Sequence, residues 1–101
     1  MAHCTEFAVF EVNPENRQRV LSLSETLFAE INAEQENILA HEILENIDNA
    51  QEVCWHLTWA NKAAVEQSRA KWPSYASSAE LESLVGKKLF YGHFVALLAN
   101  K

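Results

Sequence analysis

The stretch VCWHLTW, residues 53–59, places Val53, Trp55, Leu57 and Trp59 on one parity and Cys54, His56 and Thr58 on the other. Successive side chains of a strand point to opposite faces of a sheet. Read as a strand, the segment has one strongly apolar face that helices must cover and a second, mixed face that needs cover of its own. The sequence on either side says what supplies each.

Upstream, TEFAVFEV (5–12) is short, aromatic and β-branched, and Asn13-Pro14 bounds it as a strand. Asn13 is expected to cap a helix whose first position suits Pro14, since proline lacks only an N–H that a helix leaves unpaired there. Val20, Leu23, Leu27 and Ile31 recur at helical spacing with Phe28 beside them. ENILAHEILENI (36–47) precedes the opening stretch with only Asp48-Asn49 between, so 36–47 and 50–59 are expected to pair as an antiparallel hairpin. Downstream, Asn61 caps a helix bearing Ala64, Val65, Ser68 and Trp72, and Pro73 ends it. Ser77 with Glu80 forms a capping-box pattern, Leu81, Leu84 and Val85 give a small apolar face, and Gly86 stands where a C-terminal cap belongs. KKLFYGHFVALLA (87–99) reads as the last strand.

This order is β-α-β-β-α-β with a helical insert, the split βαβ arrangement of an α+β, ferredoxin-like fold: one domain over residues 1–101. Right-handed crossovers put the helices on one face of a four-stranded antiparallel sheet. The other face stays bare. In the last strand both parities are apolar, and in the first Phe7 and Val9 oppose Ala8, Phe10 and Val12. A second copy of the chain, packed sheet to sheet in a symmetric homodimer, would cover that face and close a barrel.

The net charge of −6, with basic residues scattered, argues against nucleic acid and anionic membrane as partners. Two cysteines without CxxC spacing point to a reducing compartment, and MAHCTEFAVF lacks the pattern of a signal peptide. A cytoplasmic location is the expectation.

TWANKAAVEQSRAKW (58–72) resembles the dimeric α/β-barrel proteins of the antibiotic biosynthesis monooxygenase type, in which an aromatic ends the third strand, a small polar cap follows, and an alanine sits on the second helix. Trp59, Asn61 and Ala64 match. The family often has a histidine where this chain has Gln67 and an acidic residue where it has Leu57. The resemblance implies a cofactor-free oxygenase acting on a quinol or phenol-like aromatic. Haem degradation needs the helix histidine, so Gln67 argues against haem, and no cofactor is expected.

The residues themselves offer three proton-handling candidates. A two-residue loop at Asp48-Asn49 would set His41 opposite His56, since their numbers sum to 97 like those of every other pair in that register. Two adjacent imidazoles can share a metal, relay a proton or bind an anion, or be merely structural; no third ligand has motif spacing, so no metal site is assigned. Glu42 would share a face with Trp55, as a partly desolvated acid or as an exposed edge carboxylate. Trp55, Trp59, Asn61 and Tyr91 are candidates to enclose and orient a flat substrate, with His93 on the same strand as Tyr91 and next to the first strand. The alternative reading is a non-catalytic dimer, either a small-ligand-binding or a structural module.

Overall fold

The computed structural model describes residues 2–98. Strand β1 (Cys4–Val12) leads through a 3₁₀ turn at Pro14–Asn16 into helix α1 (Arg17–Ile31). Strands β2 (Ile38–Asn46) and β3 (Asn49–Trp59) form a hairpin, followed by α2 (Lys62–Lys71), a 3₁₀ turn at Trp72–Ser74, α3 (Ser78–Leu84) and β4 (Val85–Phe94). The sheet order is β2-β3-β1-β4 and every pairing is antiparallel. This is the α+β, ferredoxin-like fold that the alternation of strands and helices implies.

One face of the sheet carries the core. Cys4, Ala8, Phe10 and Val12 of β1 and Val53, Trp55, Leu57 and Trp59 of β3 are buried beneath Val20, Leu23, Leu27, Phe28 and Ile31 of α1 and Ala64 and Val65 of α2. The helical stripe and the strand parity meet because periods of 3.6 and 2 each set their apolar residues on a single face. The other parity remains open: Phe7, Leu44, Phe90 and Phe94 stay exposed on it.

Several local expectations need correction. Helix α1 begins at Arg17, and the Asn13 side chain makes no capping bond; its carbonyl accepts from the Asn16 N–H at 2.8 Å and closes the 3₁₀ turn instead. Ser77 likewise makes no capping bond to its own helix, because its N–H and hydroxyl both donate to Glu30 of α1, at 3.2 and 3.1 Å, while Glu80 pairs with Arg19 at 2.6 Å. Gly86 lies inside β4 rather than at a helix end. Its lack of a side chain matters there, since a Cβ would stand 3.2 Å from the Glu11 carbonyl oxygen where β1 and β4 press together. Strand β4 ends at Phe94; residues 95–98 lie beyond it, and residue 99 of the anticipated strand falls outside the described residues.

The hairpin register also differs. Asn46 pairs with Asn49 around a turn at Ile47-Asp48, and the Asn46 Oδ1 accepts from the Asp48 N–H at 2.8 Å. The chain therefore reverses one residue early, and an irregularity between Glu45 and Asn46 resets the pairing. From there His41 stands opposite Leu57, Glu42 opposite His56 and Ile43 opposite Trp55. A one-residue slip moves side chains to the opposite face. His41 and His56 consequently lie on opposite faces, and Glu42 does not share a face with Trp55.

Leu27 is fully buried between helix and sheet. Leu27→Ala is expected to cost about 2–5 kcal/mol of folding stability, from lost transfer energy and the cavity it leaves. Urea denaturation with an unchanged slope checks this, and a midpoint equal to wild type would place Leu27 outside the core.

Candidate active site: a buried carboxylate beside an apolar cavity

The register brings His41, Leu57, Glu6 and His93 into one row across the helix-facing side of the sheet. Glu6 is the odd member, a carboxylic acid only 3% exposed in the middle of an apolar layer. Its Oε1 accepts from the indole Nε1–H of Trp59 at 2.9 Å and faces the His93 Nε2 at 2.9 Å. Its Oε2 has no hydrogen-bond partner among the described residues. His93 is held on its other side by Arg69 of α2, whose Nη2 lies 3.2 Å from the imidazole Nδ1. The consistent tautomer has Nε2–H donating to Glu6 and Nδ1 accepting from Arg69. Arg69 also donates from Nε to the Tyr91 hydroxyl at 3.3 Å and lies 5.5 Å from the Tyr91 ring centre.

Desolvation raises the carboxyl of Glu6 above its usual range, against the opposing pull of His93 and the Trp59 hydrogen bond. Removing a carboxylate from water disfavours its charged form, and two donors to one oxygen recover only part of that cost.

Between the sheet and the helices lies a cavity of about 450 Å³. Phe28, Trp55, Trp59, Leu81 and Tyr91 form much of its wall, and Glu6 is among its lining residues. The exposed side chains of Arg69, Glu82 and Lys88 ring its β4 side. Space remains because α2 and α3 are short and β4 is an edge strand, so its helix-facing residues are only partly covered.

Of the residues the sequence marks out, the structure brings Trp55, Trp59 and Tyr91 to the cavity and sets His93 against Glu6. Asn61 does not reach it. Its Oδ1 accepts from the Ala64 N–H at 2.9 Å, capping the helix that carries Arg69. His41 packs on Phe28 with ring centres 4.9 Å apart, outside the cavity lining. His56 and Glu42 pair with each other at 3.1 Å on the open sheet face, where His56 also stacks on Phe7. Sequence reasoning missed two residues. Glu6 interrupts the otherwise apolar, helix-facing parity of its strand, a signal visible in TEFAVFEV, whereas Arg69 looks like any solvated helix arginine until the fold turns it toward β4.

No protein-family model matches the chain, and no curated protein does. Solved structures do match along nearly its whole length. SnoaB, a cofactor-independent oxygenase from Streptomyces nogalater solved as a mutant, is 18% identical over 98% of this chain and 97% of its own, with a TM-score of 0.78. A protein of Chloroflexus aurantiacus provisionally named an antibiotic biosynthesis monooxygenase is 10% identical over 99% and 98%, with a TM-score of 0.72. Rv0793 from Mycobacterium tuberculosis is 15% identical over 99% and 98%, with a TM-score of 0.68. The chain thus has the fold of the antibiotic biosynthesis monooxygenases. At these identities the likeness is one of fold.

The raised Glu6 carboxyl has a direct consequence for stability. The folded chain holds this proton more tightly than the unfolded chain, whose value is near 4.5, so the group's contribution is fully present below that pH and is lost as pH rises through the folded value. Gln at position 6 keeps the acceptor for Trp59 and His93 and cannot ionise. Glu6→Gln is expected to match wild type in acid and to become the more stable of the two as pH rises toward neutrality. Urea midpoints of both proteins across that range decide it, and parallel profiles would remove the desolvated acid.

Proposed function

We propose that the protein is a homodimeric, cofactor-independent monooxygenase of small quinol- or phenol-like aromatics, bound in the cavity between sheet and helices. The observation that carries this reading is the free oxygen of a desolvated carboxyl, Glu6, beside a pocket walled by Trp55, Trp59, Phe28 and Tyr91. The likeness in fold to a cofactor-independent oxygenase supports it.

In such chemistry the substrate supplies the electrons. Glu6 takes the phenolic proton, and its raised pKa makes it a stronger base than an exposed carboxylate. Trp59 and His93 fix the carboxyl through its other oxygen, while the apolar walls keep water from the electron-rich anion. The anion gives its electrons to molecular oxygen. One oxygen atom enters the ring, the other leaves as water, and the phenol becomes a quinone. The proton acceptor is thereby assigned to Glu6 rather than to His41, His56 or Glu42, which stand away from the cavity. Asn61 acts at one remove, by capping α2.

The same reading gives the open sheet face to a second copy of the chain. Phe90 and Phe94 stack there with ring centres 6.1 Å apart, and Phe7 meets Phe94 edge-on at 6.0 Å. An aromatic sheet face of this kind is what a closed, self-complementary interface buries. A cytoplasmic setting accords with the two free cysteines.

Oxygen uptake with 1-naphthol, whose para carbon is free to receive an oxygen atom, tests the chemistry: Glu6→Gln is expected to lower kcat by roughly 10²-fold or more, the usual worth of a positioned base. Unchanged turnover would remove Glu6 from the reaction, and absence of turnover in wild type with intact binding would favour the non-catalytic ligand-binding dimer. Phe94, half exposed on the open face, tests the assembly. Phe94→Glu is expected to shift the sedimenting species from dimer to monomer, and a wild-type monomer at micromolar concentration would exclude the shared barrel.

A further inference from the structure

Four charged residues line the cavity: Glu6, Arg69, Glu82 and Lys88. Lys88 and Glu82 neutralise each other across 2.7 Å. Elsewhere Arg17, Arg19, Lys62 and Lys71 each have a carboxylate within salt-bridge distance. Arg69 has none among the described residues. Its hydrogen-bond partners are a phenol, Tyr91, and the Nδ1 of His93. These two bonds engage Nε and Nη2 and hold the guanidinium plane at the rim, with Nη1 left unbonded by the described residues. In a chain of net charge −6, a fixed cation at a pocket mouth without an acid of its own is a site for an anion.

We infer that the cavity selects aromatic acids, with the ligand's carboxylate on Arg69 and its phenolic end at Glu6. This rests on the pocket reading above and names its substrate class. Arg69 and Glu6 stand on either side of the His93 ring, joined to it by hydrogen bonds of 3.2 and 2.9 Å, so a ligand reaching both must span more than one ring. The bonded oxygen of Glu6 is taken up by Trp59 and His93, so Glu6 makes no hydrogen bond to Arg69 among the described residues. The phenolic end meets apolar walls, and the charged end stays at the solvated rim where its desolvation cost is smallest.

The experiment compares 6-hydroxy-2-naphthoate with 2-naphthol, two ligands of the same ring and hydroxyl that differ in the carboxylate. Binding to the whole protein is read by tryptophan fluorescence, since Trp55 and Trp59 line the cavity. The acid is expected to bind about tenfold tighter or more, as a charge-assisted pair provides. Its advantage should shrink as ionic strength rises. Arg69→Gln should bring the ratio of the two affinities close to one, and Arg69→Lys should restore part of it. Equal affinities in wild type, or a ratio unmoved by both Arg69→Gln and salt, would overturn the inference while leaving the pocket intact. Binding of neither ligand would overturn the pocket reading and this inference together. The salt dependence in wild type keeps the test decisive should Arg69→Gln fail to fold.

Discussion

A buried carboxyl organises one side of this molecule. Glu6 occupies the helix-facing parity of a central strand, where its neighbours Cys4, Ala8 and Phe10 are apolar, and it is tolerated there because Trp59 and His93 each meet its Oε1. That arrangement ties the middle strand β1 to β3 on one side and to β4 on the other through side chains as well as backbone. It also explains why Trp59 sits at a strand end: an indole needs an acceptor when buried, and Glu6 is that acceptor. The cavity beside it follows from what the short helices leave uncovered.

Two faces of the same sheet are thereby given different tasks. The helix-facing side holds the core, the carboxyl and the cavity. The open side holds Phe7, Phe90 and Phe94, with His56 stacked on Phe7 at an interplanar angle of 3°. His56 and Glu42 pair on that open side at partial exposure. An exposed pair of this kind adds little to stability.

The hairpin shows how a turn and the irregularity beside it reassign chemistry. Asp48-Asn49 is a sound turn dipeptide, yet Asn46 accepts from the Asp48 N–H and turns the chain at Ile47-Asp48. The irregularity between Glu45 and Asn46 then shifts the pairing by an odd number of residues, so His41 goes to the helix side and packs on Phe28, while His56 stays on the open side. Local hydrogen bonds of Asn compete with strand pairing in this way. Two competing Asx residues three positions apart left the register undecided in the sequence.

The sequence by itself determined the order of elements, the buried stripes of α1 and β3, the Asn61 cap and the open apolar face, because each depends on local periodicity or on one residue's bond to its neighbours. It also marked Trp55, Trp59 and Tyr91 as aromatics at strand spacing and His93 as a neighbour of Tyr91 beside the first strand. Tertiary structure alone decided that Glu6 and His93 meet across 87 positions of chain and that Arg69 turns toward β4. Those contacts are set by the pairing register of β4 on β1 and by the way α2 packs over the sheet. Both are non-local quantities, settled only when whole elements dock, and no spacing within a single segment encodes them.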